Sequence, residues 1–290
     1  MTTIRNDALQ PAFAVDPMVV DAAARAFDDI AAKWFAGDGT DEQRAALLAA
    51  VIDLGFADAL PSPDGREAWL DAAAIIRAQA RAAAPVDMAL LLATGDQAAS
   101  IAYDPGRYAC DATASAPADA GAAAALALGR CLQITGAMEA ALELSVQYVQ
   151  DRKQFGQPLA KFQAIQHSLA LAAEEIAACT AMTDVVLACA VREGITAARM
   201  PALLDAAALV ADRAVDVVYD ICHQVHGAIG FTREYALHRH SLNLLRWRDD
   251  LQLLRGGAMR AAERLGDRAL AAGGLWRAVT ALMKPGEAHE

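Results

Sequence analysis

The feature that most constrains the fold is an apolar residue at every third or fourth position, carried on an alanine background. Leu128, Leu132, Thr135, Met138, Leu142, Val146 and Val149 follow this spacing. The next stretch repeats it with Phe162, Ile165, Leu169, Ala172, Ile176 and Cys179, and beyond Gly194 come Leu203, Ala207, Val210, Ala214, Val217 and Ile221. Such a period draws one apolar stripe along each of several long helices. Alanine loses no side-chain entropy in a helix, and its small size lets neighbouring helices approach closely. The chain therefore reads as all-α, with an N-terminal helical unit and a C-terminal antiparallel four-helix bundle.

The order of elements follows from caps and breakers. Residues 1–14 read as an arm. A helix is expected from Asp16 to about Phe35, and a second, capped by Asp41, through Leu54, with Gly55 at the left-handed position after it. Pro61 to Gly65 is a turn by composition. Helices are then expected from about Glu67 to Ala83 and from Val86 to Thr94. Periodicity lapses until Asp119, dividing the chain into an N-terminal helical domain 1–96, a linker 97–119 and a bundle domain 120–290. The linker falls far short of the about 100 residues of a β-sandwich. Past Gln224, two further helical segments are expected, Glu234–Arg246 and Asp249–Ala272.

The net charge of −11 over 290 residues argues against nucleic acid, which is bound by a concentrated cationic face. No apolar run is long enough to span a bilayer, and the N-terminus lacks a basic region followed by an apolar core. The five cysteines, odd in number and without a C-x-x-C, suit buried free thiols in a reducing, cytoplasmic setting. Against the acidic background, Arg233, Arg239, Arg246 and Arg248 form a local cationic run, expected to hold a small anion such as a pyrophosphate. His223 and His226 stand three apart and Glu234 and His238 four apart. The chain has no Glu-x-x-His, so no metal site is expected.

Two motifs carry chemistry. The first runs Tyr148-Val-Gln-Asp-Arg152-Lys153-Gln154-Phe155-Gly156-Gln-Pro158 and continues into Lys161-Phe162-Gln163-Ala164-Ile165-Gln166. The second is Gln224-Val-His226-Gly227-Ala228-Ile229-Gly230-Phe231-Thr232-Arg233-Glu234-Tyr235. In order and spacing they resemble the C-terminal helical domain of the acyl-CoA dehydrogenases, FAD-dependent enzymes that oxidise acyl thioesters to 2,3-enoyl thioesters. The likeness covers residues 120–270 well and 16–96 weakly. It implies FAD as cofactor and an acyl-CoA as substrate. It also implies cofactor contacts at Arg152, Gln154, Phe155, Gln224, Gly227 and Ala228, made to a flavin held mainly by a neighbouring subunit. The residue chemistry agrees: arginine offers a planar fork to a pyrophosphate, and a glycine lets backbone approach it closely.

Three departures from the family pattern matter. The family's middle β-domain has no counterpart in the linker. The family's glutamate base falls on Leu251 by ungapped count, and its alternative position falls near Leu126, so neither site keeps a carboxylate. Asp250 is a candidate base one residue away, or else Asp249 and Asp250 open the last helix and pair with Arg246 or Arg248. Ala228 replaces the second glycine of the usual pair, which is tolerated if its φ stays negative. The expectation is a subunit without its own base, completing the FAD site of a full-length homologue in a hetero-oligomer, or of a second copy in a homodimer. The alternatives are a self-sufficient dehydrogenase using Asp250 and a non-catalytic helical scaffold.

Overall fold

The structure is a computed structural model that describes residues 16–37, 40–55, 68–95, 117 and 119–283. The expected arm 1–14, the turn Pro61–Gly65 and nearly all of the linker 97–119 lie outside the described residues. Among the described residues the chain is helical apart from one two-stranded hairpin.

On the N-terminal side, α1 (Pro17–Phe35) starts where the Asp16 carboxylate accepts from the Met18 N–H at 2.8 Å. Helix α2 (Asp41–Asp53) is capped by the Thr40 hydroxyl, which accepts from the Gln43 N–H, and not by Asp41 as expected. Asp41 carries helical φ/ψ, and the capping position falls one residue earlier. Helix α3 spans Ala68–Arg81. Helix α4 (Met88–Thr94) begins two residues later than its spacing suggests, because the Asp87 carboxylate caps it through the Leu90 N–H at 3.1 Å.

On the C-terminal side, Asp119 caps α5 (Ala120–Asp151), accepting from the Ala122 N–H at 2.8 Å. Strands β1 (Lys153–Gln154) and β2 (Gln157–Pro158) pair antiparallel, Gln154 opposite Gln157. After a short 3₁₀ turn come α6 (Gln163–Glu193), α7 (Met200–His226) and a second 3₁₀ turn (Gly227–Phe231). Helices α8 (Leu237–Arg255), α9 (Ala258–Ala271) and α10 (Leu275–Met283) complete the described chain. The expected segments Glu234–Arg246 and Asp249–Ala272 are thus corrected. Helix α8 runs unbroken through Asp249 and Asp250, and the break falls at Gly256, whose φ of 75° ends the helix in the left-handed region. Asp249 and Asp250 therefore lie near a helix C-terminus, not at the start of one.

Helix α5 is the central post. Every residue from Leu126 to Met138 is buried, and α3, α4, α6, α7 and α8 all pack against it. A Cβ on Gly129 would come within 2.6 Å of the Ala89 side chain, and one on Gly136 within 2.8 Å of the Arg77 carbonyl oxygen. These two glycines set how closely α3 and α4 dock. One hydrophobic cluster joins Phe27, Ile76 and Met88 to Leu128, Leu132, Leu204 and Trp247. Each such fully buried large side chain contributes about 1.5–3 kcal/mol relative to exposure. Cys131, Cys179, Cys189 and Cys222 are free and buried, as expected. Burial pushes the thiols of Cys179 and Cys222 up to about 12 and about 11. No helix among the described residues is long and apolar enough to cross a membrane.

Candidate functional site

Because α6 returns antiparallel between them, α5 and α7 end at the same end of the bundle. Their last turns touch: the Tyr148 ring stacks on His226 at 4.5 Å. Both candidate motifs sit here. Two helix C-termini present partial negative charge at this end, so an anion bound here needs side-chain cations and free backbone N–H groups.

Arg152 is the C-cap of α5, its N–H bonded to the Tyr148 carbonyl at 2.8 Å. Its side chain is exposed, like those of Lys153 and Gln154. Among the described residues no carboxylate pairs with Arg152 or Lys153. The hairpin tip consists of Phe155 and Gly156, at φ 53° and 83°. Two consecutive positive φ values match the right-handed twist of the flanking strands. A phenylalanine in this region is strained, yet its ring is 90% exposed, braced only edge-on by Phe162 at 6.1 Å. A large apolar ring held outward at a strained tip does nothing for this chain's own core.

Helix α7 ends at Gly227, with φ 62° and ψ −142°, a conformation essentially reserved for glycine. Nothing lies within 4 Å of where its Cβ would be, so the backbone faces open space. Ala228 keeps a negative φ, since Ala83 and Phe155 are the non-glycine residues with positive φ among those described. Its methyl is accommodated without strain. Gln224, Gly227 and Ala228 are exposed and line a groove of about 680 Å³, together with Ser168 of α6 and with Asp220, His223 and Phe231. The structure thus gathers Gln224, Gly227 and Ala228 on one wall. Arg152, Gln154 and Phe155 stand on the separate hairpin at the same end of the bundle.

The histidines beside the groove are buried and structural in their bonding. Ser241 Oγ donates to the Leu237 carbonyl at 3.0 Å, so His223 Nε2 donates to Ser241 Oγ at 2.7 Å and its Nδ1 is left as an acceptor. His226 Nδ1 lies 2.7 Å from the Cys222 carbonyl, which only accepts, so that nitrogen carries the proton. Burial lowers the pKa of both rings, and for His223 the neighbouring His226 lowers it further. Among the described residues no group of three or more His, Cys, Asp or Glu could hold a metal ion.

The cationic run does not act together. Arg233 stands in the turn before α8, and the other three are engaged separately along the helix. Arg239 lies over the Phe35 ring at 3.4 Å, Arg248 pairs with Asp216 at 2.6 Å and Asp249 at 3.0 Å, and Arg246 acts on the buried Asp87. The expected shared anion site of Arg233, Arg239, Arg246 and Arg248 is not formed.

Asp250 belongs to a different region. Its carboxylate pairs with Arg130 of α5 at 3.0 Å, and Arg130 pairs in turn with Asp87 at 2.6 Å. Gln133 accepts from Arg130 at 2.7 Å and donates to Gln79 at 3.0 Å. Burial pushes the Asp87 carboxyl up, but the charge and hydrogen bond of Arg130 outweigh it and hold the group below its ordinary value. Burial raises the Asp250 carboxyl, and Arg130 opposes that only in part. Sequence reasoning missed this seam. Its signal was present: Arg130 and Gln133 interrupt a helix segment that is otherwise small or apolar on every face, and such a segment is buried.

With this geometry in hand, the comparisons are informative. Residues 121–249 match the family described as acyl-CoA dehydrogenase, C-terminal domain. Over that stretch the chain is similar to the acyl-CoA dehydrogenase C-terminal domain. Among curated relatives, acyl-CoA dehydrogenase IpdE2 of Mycobacterium tuberculosis is 34% identical over 120 residues, 41% of this chain and 35% of that protein. Acryloyl-CoA reductase (NADH) of Anaerotignum propionicum is 32% identical over 114 residues, 39% of this chain and 27% of that protein. The chain thus spans only about a third, or less, of the curated relatives' length. Two solved structures share the fold more broadly. A variant of the Tcur3481-Tcur3483 steroid ACAD aligns over 88% of this chain and 97% of its own, with TM-score 0.63 and 18% identity. The ChsE4-ChsE5 complex from Mycobacterium tuberculosis aligns over 88% and 98%, with TM-score 0.62 and 14% identity.

Proposed function

We propose that this chain is the non-catalytic subunit of an FAD-dependent acyl-CoA dehydrogenase, completing the flavin site of a full-length homologue that carries the β-domain and the base. The observation that carries the reading is the outward presentation of the contact motif. Arg152, Lys153, Gln154 and the strained, 90% exposed Phe155 point away from their own chain. The two fold relatives named above carry double names, Tcur3481-Tcur3483 and the ChsE4-ChsE5 complex, which supports a paired assembly here. We further propose the division 1–96, 97–119 and 120–290, with the linker in place of the β-domain.

The residues present fit the adenine–pyrophosphate part of FAD. The Gly227 backbone is open where a Cβ would crowd a phosphate, Ala228 is unstrained, and Gln224 projects into the same groove. Arg152 would hold a phosphate by its fork, Lys153 would add a point charge, and Phe155 would cover the adenosine end. When bound, FAD supplies the hydride acceptor for 2,3-desaturation of an acyl-CoA thioester. This chain's residues bind and orient; the proton is taken elsewhere.

Co-expression with a full-length homologue is expected to yield a yellow heteromer, in which Arg152→Ala weakens FAD binding by roughly tenfold to a hundredfold, the worth of one charged hydrogen-bonded contact. A colourless complex, or no association, would sink the reading. Flavin in a homodimer of the isolated chain would replace the partner by a second copy.

One observation favours a second reading, Asp250 as base: it is a part-exposed carboxyl whose pKa burial raises. Under that reading the isolated protein carries flavin that an acyl-CoA bleaches, and Asp250→Asn abolishes the bleaching with the fold intact.

A further inference from the structure

The two contact stretches are far apart in sequence, yet they must keep one spacing to serve one dinucleotide. A three-ring cluster joins them. Tyr148 stands one helical turn before Arg152, whose N–H it receives. Its ring stacks on His226 with centroids 4.5 Å apart and planes at 27°. Its hydroxyl lies 3.4 Å from the His226 carbonyl oxygen, to which it donates a long hydrogen bond. That carbonyl belongs to the last turn of α7, at the cap of the 3₁₀ turn that follows. Tyr235, from the segment leading into α8, closes the cluster at 5.8 Å from Tyr148 and 4.9 Å from His226. His226 immediately precedes Gly227 and is anchored by Nδ1 to the Cys222 carbonyl.

We propose that Tyr148 is a positioning residue, coupling the Arg152–Phe155 hairpin to the Gly227–Ala228 turn so that both meet one ligand at a fixed spacing. The role rests on the flavin-contact reading given above. Tyr148 itself touches no ligand in this scheme; it acts through Arg152 on one side and His226 on the other. Stacking carries most of the tie, since a hydroxyl contact of 3.4 Å is weak. Tyr148→Phe therefore keeps the function, and Tyr148→Leu loses it.

The first test needs no ligand. In hydrogen exchange on the full chain, Tyr148→Leu should raise exchange about tenfold in both 153–158 and 227–231, with the remaining helices as protected as before. Tyr148→Phe should restore most of the protection. Tyr235→Leu approaches the cluster from the other side and should loosen the same two segments, should Tyr148→Leu fail to fold. Unchanged exchange in 227–231 would overturn the coupling.

The second test is FAD titration of the complex with a full-length homologue. Tyr148→Leu should weaken binding about tenfold, and should add little when Arg152→Ala is already present, because it acts through Arg152. Equal losses in both backgrounds would mean general destabilisation and would overturn the positioning role. A wild-type complex that binds no FAD would overturn the proposed function, while the exchange result still decides the coupling.

Discussion

Two polar regions of this molecule are built on opposite principles. At the shared end of α5 and α7, Arg152, Lys153, Gln154, Phe155, Gln224 and Gly227 are exposed, and among the described residues no carboxylate meets the two cations. Midway along α5, Asp87 and Arg130 are 2% and 3% exposed, and Arg130 holds Asp250 as well. The first region has its hydrogen-bonding capacity turned outward, and the second spends it internally. The difference separates groups available to a ligand from groups that fix α4 and α8 against α5. It also weighs against Asp250 as a base, since its carboxylate is already engaged by Arg130 at 3.0 Å.

The largest expected effect would come from breaking the inner region. Arg130→Ala leaves Asp87 buried without its cation and should cost about 3–5 kcal/mol in urea unfolding. A loss below about 1 kcal/mol would mean that water reaches the seam and that the two regions are not so different.

Next comes acid. Burial, with Arg239, Arg81 and His238 nearby, lowers His240 to about 4. Between that value and the unfolded value of 6.5, the unfolded chain binds a proton that the folded chain refuses. Stability is therefore full above pH 6.5 and falls as the pH drops towards about 4, by up to about 3 kcal/mol. His223 and His226, also lowered, act in the same sense, whereas the raised Asp250 acts in the opposite one. His240→Gln should flatten the pH profile; an unaltered profile would move the effect to other groups.

A smaller effect is expected at the outer region's turn. Gly227→Ala forces a side chain into a glycine conformation and should cost about 1–3 kcal/mol of stability, with flavin lost from the complex. The smallest is Arg152→Ala, expected within about 0.5 kcal/mol of wild type in unfolding, while under the proposed function it should weaken FAD binding. A large stability loss there would abolish the contrast between the regions.

The long helices were legible because their stripes repeat over many turns and Asp16, Asp119 and Gly55 punctuate the helices locally. Element ends were less so. Thr40 and Asp87 took over capping by geometry one residue away from, or inside, the expected start, and α8 ran on to Gly256 because Asp249 and Asp250 are as compatible with a helix interior as with a first turn. The two outer motifs were legible through a family resemblance, and their local geometry agrees with it: Gly227 takes a glycine conformation and Arg152 stands just past a helix end. The inner seam was not, because Asp87, Arg130 and Asp250 are brought together only by packing.

By itself, the sequence determined an all-α chain and the order of its long helices, since periodicity, alanine propensity and turn chemistry are local. Only the tertiary structure decided that Arg239, Arg246 and Arg248 part company, that Asp250 faces Arg130, and that Tyr148 meets His226. Those outcomes depend on which helix faces meet, and an apolar stripe shared by every helix leaves that choice to close packing around α5.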